Sequence, residues 1–498
     1  MNVNPITRLD YPDPDVIRVE DTYYMVSTTM HFMPGCEILQ SFDLVHWEHV
    51  TYVYETLDHT DAQQLKSGQN IYGQGMWAAS LRYHEGRFYI CFVANDTRKT
   101  YLYTSEKIDG PWKKQLIEGF YHDGSLLFDE DGRSYIVYGN DEIWITELNE
   151  DLTAPKKDGL HRLLVSDHKN PELGYEGSHI QKINGYYYIF LVHSLRDRWM
   201  RTEACFYSDS LEGEFTGGDV LCDDRGYCGQ GVAQGGIVDT PDGKWYAMLF
   251  QDSGAVGRLP ILLPVTWKDH FPVFGQNGHV PEEIEVHSTR PGYIYQPLVG
   301  SDDFCNGLLP RWQFNHDPDP QYYHLDALQG TYTITTREVC TELTQAVNTL
   351  TQRMSYPSCA AEVTVDASAL KEGDVAGLCA LQGCYAAVGI TKHHGKYEVL
   401  MLDKKEDGIL DMTEGTVVES HQMDFRLEAD FCNMKDEARC YYRVNKGDWL
   451  PIGTVHKLYF KLDHFTGCRF GLFCYAAEET GGSACFRDFK YYDVDEIS

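Results

Sequence analysis

The chain has little positive charge. It carries 42 lysines and arginines against 75 aspartates and glutamates, a formal net charge of −33 at pH 7. A field of that sign repels nucleic acid, anionic membranes and acidic polysaccharides, so a neutral partner is expected. Long apolar runs are also missing: no stretch approaches the ~20 residues that a membrane-spanning helix needs. No secretory leader is visible at the start of the sequence. These absences predict a cytoplasmic protein with no membrane partner; homo-oligomerisation is left open. The 15 cysteines are scattered, odd in number and contain no CxxC pair. That pattern excludes the usual zinc and dithiol motifs and leaves buried small hydrophobes. No long amphipathic helix and no low-complexity tract can be found. What remains is an all-β chain.

Aromatic residues make up 13% of the sequence, with 34 tyrosines among them. Five segments share one pattern, a turn followed by an aromatic and aliphatic strand. They are EDTYYMV from Glu20, EGRFYIC from Glu85, EDGRSYIVY from Glu130, INGYYYIFL from Ile183 and PDGKWYAML from Pro241. Turn chemistry feeding such strands marks a tight hairpin. The turns recur every 46 to 65 residues, a spacing that suits one four-stranded blade with its insertions. Five units predict a five-bladed β-propeller over residues 1–290. Residues 291–300 read as a linker. From Ser301 to Ser498, stretches such as TYTITT, AAEVTVDAS and KLYFKL predict short antiparallel strands. These form a β-sandwich of jelly-roll, concanavalin-like type.

Nine residues before Gly86, Gly132, Gly185 and Gly243 stand Trp77, Asp123, Glu176 and Gln234. Eight residues before Asp21 stands Asp13. In a propeller the strand entering each hairpin lines the central channel, so equivalent positions converge on one axis. Asp13, Asp123 and Glu176 are therefore expected at one mouth. Asp13 is one residue out of phase, and a strand has period two, so a bulge or a different turn must correct it. Three carboxylates around one pocket suit glycosidic bond hydrolysis, in which one carboxyl protonates the leaving oxygen and another activates water or attacks. A calcium ion is the competing occupant, because three carboxylates suit a hard cation, but clustered carboxylates more often do chemistry. Geometry alone leaves the roles unassigned.

The segments YPDPDVIRVEDTYYMVSTT, GMWAASLRYHEGRFYI, HDGSLLFDEDGRSYIV and YEGSHIQKINGYYYIF resemble the signature segments of glycoside hydrolase family 43. The fifth-blade segment AQGGIVDTPDGKWYAMLFQDSGAVGRLPILLPVTW continues the likeness. So do SDDF, WQFNHDPDP, NTLTQRM and KEGDVAGL, which are similar to the concanavalin-like domain of xylosidase-type members. The resemblance implies an inverting glycosidase. Asp13 would be the general base, Asp123 the acid that orients the proton donor and raises its pKa, and Glu176 the general acid. Inversion implies a carboxyl separation of about 6.5–9.5 Å between base and acid. Trp77 matches an aromatic wall of the sugar pocket, and Phe32 is offered as a second. Arg258 matches an arginine that binds sugar hydroxyls, with Gln251 and Asp252 as its support. Trp312 and Phe314 are proposed for a sandwich loop that closes the mouth. Where many relatives carry a channel histidine linked to calcium, this chain has Gln234, whose amide oxygen is a candidate ligand for the ion. Asp303 and Asp488 are candidates for a structural calcium in the sandwich. No cofactor is required for the chemistry.

The activity so implied is removal of terminal α-L-arabinofuranosyl residues from arabinoxylan or related oligosaccharides. β-D-Xylosidase or dual activity is the first alternative. An endo-acting arabinanase and a non-catalytic sugar-binding propeller are further ones.

Overall fold

The computed structural model describes residues 3–413 and 415–493. Its first half is five four-stranded antiparallel sheets arranged as propeller blades, each built from one continuous segment. The innermost strands are Asp15–Val19, Met76–His84, Ser125–Phe128, Glu176–Ile183 and Val232–Asp239. The ring is not closed by a shared blade. Instead, residues before the first strand lie along the fifth blade: Ile6 N donates to Pro260 O (2.8 Å) and Tyr11 N to Arg258 O (3.1 Å). Asn4 exchanges two bonds with the backbone of Leu262, at 2.7 and 2.8 Å. Ile6, Leu9 and Tyr11 then bury against Val238, Tyr246 and Met248 in one core.

The ladders explain how Asp13 comes into phase. The first hairpin closes on the pair Val19–Thr22 and runs regularly to Asp15–Val26. Asp13 thus stands six rungs above its turn. In the second and fourth blades an extra residue is bulged into the inner strand, between Trp77 and Ser80 and between Glu176 and His179. Trp77 consequently pairs with Val93 and Glu176 with Val192, which is also the sixth rung. The bulges cancel the one-residue difference in sequence spacing. Left-handed backbone marks the same level in all five blades: Asp13 (φ 53°), Ala78 (21°), Asp123 (47°), Gly177 (67°) and Gln234 (65°). This turns each chain across the channel mouth.

The C-terminal half is a two-sheet sandwich. One sheet is centred on Arg469–Tyr475 and Val375–Leu381, and the other on Ser483–Asp493 and Ser358–Asp366. Their facing side chains form one core that includes Leu350, Leu378, Phe425 and Phe486. Residues 293–296 lie against the first blade, where Gln296 N donates to Glu48 Oε2 (2.9 Å) and Tyr293 bonds the same carboxylate. The sandwich is bound to the propeller by a backbone bridge between Met33 and Phe314 (3.1 and 2.7 Å). A buried ion pair, Arg353 Nη1 to Glu37 Oε2 (2.9 Å), reinforces it.

Trp312 does not reach the propeller mouth. It is 3% exposed, stacks on Phe304 and meets Phe489 edge-to-face inside the sandwich, and its indole N–H bonds Asp302 Oδ2 (2.8 Å). Phe314 serves the interdomain bridge. Among the described residues, no helix is long and apolar enough to cross a membrane.

Candidate active site

Asp13, Asp123 and Glu176 meet at one end of the channel. Asp13 is 6% exposed. Its Oδ1 accepts from Arg258 Nη1 (3.0 Å) and its Oδ2 from Thr28 Oγ1 (2.5 Å). Asp123 Oδ2 accepts from the N–H of Gly177 (3.0 Å), next to Glu176. Glu176 Oε2 accepts from Asn140 Nδ2 (2.8 Å). Between these two carboxylates sits His122, with Nε2 3.6 Å from Asp123 Oδ2 and 3.5 Å from Glu176 Oε2. Burial raises the Asp123 pKa to about 6; the His122 cation opposes the rise, and the charges of Glu176 and Asp13 add to it. The Asp123 carboxylate in turn raises His122 to about 9, against burial and with help from Glu176 and Asp13. At neutral pH the histidine is therefore a cation lying against two acids.

Two buried arginines face the same space. Arg258 is 3% exposed, and its Nε and Nη2 have no partner among the described residues. Unpaired buried donors are costly, and a sugar hydroxyl is the group that would satisfy them. Its guanidinium lies 4.3 Å from the ring centre of Phe465. Arg201 is 6% exposed and donates through Nε to Asp252 Oδ2 (2.8 Å). Burial works against its charge, but the carboxylates of Asp252, Glu176 and Asp13 more than offset this and raise its pKa.

The loop that reaches the mouth is the one before Arg469, carrying Phe460, His464 and Phe465. The Phe465 ring stands 5.4 Å from that of Trp77, which also lies 6.2 Å from His122. Trp77 and Phe465 thus adjoin as one aromatic wall built from two domains. The loop is anchored by Asp10, whose Oδ2 accepts from Gly467 N (2.7 Å) while Oδ1 accepts from Arg258 N (2.8 Å). Sequence reasoning missed Phe465, Arg201, His122 and Asp10. Only His122, adjacent to Asp123, carried a local signal.

Other expected positions fall elsewhere. Gln251 points away from the site. Its amide donates to Asp224 O (2.8 Å) and Gln230 O (2.7 Å), and its oxygen accepts from Arg225 (3.1 Å). Strand alternation sends Asp252, its neighbour, to the channel instead. Phe32 is 2% exposed, and the Arg469 guanidinium covers its ring at 3.4 Å.

Gln234 packs against Gly177, where an added Cβ would lie 2.7 Å from its Cγ and 3.0 Å from its Nε2. Its N–H bonds Glu203 Oε2 (2.7 Å). Deeper in the channel, Arg82 reaches four blades. It bonds Asp15 Oδ2 (2.8 Å), Ser125 Oγ (2.6 Å), and the carbonyls of Leu81 (2.6 Å), Leu126 (2.8 Å) and Ile180 (3.2 Å). A guanidinium thus occupies this level of the axis and takes up these oxygens. His122, Asp123 and Glu176 are the described His, Cys, Asp or Glu residues whose ligand atoms gather within 4.8 Å. Asp303 and Asp488 belong to no such group, and Asp303 Oδ1 caps Cys305 N (3.0 Å).

The profile of Glycosyl hydrolases family 43 matches residues 3–272. The chain belongs to family 43. A second profile, the beta xylosidase C-terminal concanavalin A-like domain, matches residues 301–492. Among curated family 43 relatives, a beta-xylosidase of Formosa agariphila is 27% identical, covering 99% of this chain and 89% of its own. A non-reducing end alpha-L-arabinofuranosidase of Bacteroides ovatus is 26% identical over 66% of this chain and 63% of its own. A solved structure from Bacteroides eggerthii, described as a bifunctional GH43-CE protein, is 42% identical with a TM-score of 0.93. It covers 100% of this chain, which spans 64% of that protein's length. The family makes this chain a glycoside hydrolase of xylosidase and arabinofuranosidase kinship.

Proposed function

We propose that the chain is an inverting exo-glycosidase that removes a terminal α-L-arabinofuranosyl residue from neutral pentose oligosaccharides. Asp13 is the general base for water, Glu176 the general acid, and Asp123 the carboxyl that supports the acid through its contact with Gly177. The observation that carries the exo reading is the closure of the pocket by Phe465 from the second domain. A site walled on that side accepts a chain end more readily than a chain passing through it. The arrangement of charges supports the roles. Asp13 is held by the Arg258 guanidinium and the Thr28 hydroxyl, which fix its carboxylate at the mouth. Glu176 is partnered by a neutral amide, with His122 farther off at 3.5 Å.

β-D-Xylosidase activity is the second reading, favoured by the beta-xylosidase relative that aligns over nearly the whole chain. Release of nitrophenol from p-nitrophenyl α-L-arabinofuranoside and β-D-xyloside, with Asp13→Ala as control, tests both readings. Activity on the arabinoside that is lost in the variant supports the first. Activity mainly on the xyloside moves the assignment to the second with the same residues. Oligomeric products from arabinoxylan would sink the exo reading. NMR observation of the first-formed anomer tests inversion.

A further inference from the structure

Trp199 is the one tryptophan among the described residues that is largely exposed, at 44%. It lies in the connection between Tyr186–Ser194 and Arg201–Ser208 in the fourth blade. Glu176 pairs with Val192, and Ser194 with Arg201, so this connection overhangs the sheet end that carries Glu176. The connection is tightly held. Leu195 N donates to Met200 O (3.1 Å), Met200 N to Ser194 Oγ (2.8 Å), and Asn170 Nδ2 to Ser194 O (2.9 Å). Arg196 is ion-paired to Asp167 in the segment leading to Glu176. An exposed indole fixed in this way is a ready-made flat surface.

The ring of Trp199 lies 5.2 Å from the guanidinium of Arg201, which is sandwiched by Phe250 at 5.2 Å on another side. Arg201 uses only Nε, on Asp252; its two terminal nitrogens have no hydrogen-bond partner among the described residues. A nearly buried cation with open donors, facing Glu176 and Asp13 and adjoining an exposed aromatic ring, points to a polyhydroxylated ligand. From the strand geometry, Trp199 sits about two strand spacings from Glu176, roughly 10–15 Å between Cα atoms. That places it one or two sugar units from the acid.

We propose that Trp199 and Arg201 form the leaving-group subsite, in which Trp199 stacks on the sugar next beyond the scissile bond and Arg201 donates to its hydroxyls. The occupant is a neutral pentopyranose of the substrate main chain. This rests on the glycosidase reading above.

The test separates the two. Binding of an arabinoxylo-oligosaccharide and of free arabinose is measured by calorimetry in the Glu176→Gln protein, with and without Trp199→Ala. The oligosaccharide should bind about five- to tenfold more weakly without the indole. Arabinose, which reaches only the inner pocket, should bind as before. Trp199→Phe should recover most of the oligosaccharide affinity. Equal oligosaccharide affinity in the two proteins overturns the subsite, as does a parallel loss for arabinose. Because the readout is binding, absence of turnover in the parent enzyme would sink the glycosidase reading and leave the subsite to be decided by these affinities.

Discussion

Asp10 joins the two halves of the pocket, and its replacement by asparagine is the sharpest perturbation of that link. The carboxylate accepts from Arg258 N at 2.8 Å and Gly467 N at 2.7 Å, and the residue is 7% exposed. Asparagine has nearly the same volume, so no cavity opens. It offers one acceptor oxygen where two are needed and turns an NH2 group toward a backbone N–H. One charge-assisted bond is lost, worth about 1.5–3 kcal/mol when buried. The surroundings cannot shift to accommodate it. A Cβ on Gly257 would lie 2.3 Å from Asp10 Oδ1, and one on Gly467 2.7 Å from Asp10 Cβ, so the backbones are already in contact. The expected outcome is a fall in Tm of about 1–3 °C. With it should come a loss in kcat/KM of about tenfold or more on p-nitrophenyl pentosides. KM should account for most of that loss, because Arg258 and the Phe465 loop are less firmly held over the sugar. Differential scanning fluorimetry and steady-state kinetics on the purified variant provide both numbers. Unchanged Tm and unchanged kinetics would refute the clamp. A lowered Tm with unchanged kinetics would refute its role in closing the pocket.

Three more outcomes follow. Removing the His122 cation by His122→Gln takes away the charge that opposes the rise at Asp123 from its ordinary value to about 6; the kcat/KM–pH profile should move up by about 1 unit or more, and an unmoved profile would show that His122 does not tune the acids. Arg353 and His49 hold the Glu37 carboxyl down at about 2 despite burial; its contribution, about 3 kcal/mol, is present above the unfolded value of 4.5 and lost as pH falls from there through 2, so Glu37→Gln should lower Tm at pH 7 and flatten its decline toward pH 3, whereas parallel Tm–pH curves would contradict the assignment. Phe465→Ala removes an aromatic wall and a cation–π partner of Arg258; KM for pentosides should rise about fivefold or more while Tm changes little, and an unaltered KM would show that the wall is not in contact with substrate.

The repeats made the propeller and the convergence of Asp13, Asp123 and Glu176 legible, because hairpin turns have strong local chemistry and fix the count along each strand. The bulges at Trp77 and Glu176 left no sequence mark, yet without them these residues would face away from Asp13's rung. Gln251 and Asp252 are consecutive on one strand, so one must turn from the channel, and only the register decides which. Trp312 looked like a mouth residue because it is aromatic and lies early in the second domain. It is buried because its indole N–H has a carboxylate partner, Asp302, inside the sandwich. The residue that reaches the mouth, Phe465, belongs to the second domain and adjoins Trp77 of the second blade. The two are remote in sequence, and contact over that separation is set by how the domains dock.

That docking makes the pocket a property of the interface. Arg258 belongs to the fifth blade and Asp13 to the segment entering the first, so the pair 3.0 Å apart exists only when the ring closes. The ring is closed by residues 4–11 lying along the fifth blade, and the carbonyl of Asp10 in that segment accepts from the sandwich's Arg353 (2.9 Å). Arg353 also bonds Glu37 in the first blade. One short segment therefore carries Asp13, the proposed base, together with the closure of the propeller and the seat of the second domain. A perturbation at any of the three should reach the other two through backbone hydrogen bonds. The sandwich is thus part of the pocket, since without it Asp10 would lose Gly467, Arg258 would lose the Phe465 ring, and the ring beside Trp77 would be gone.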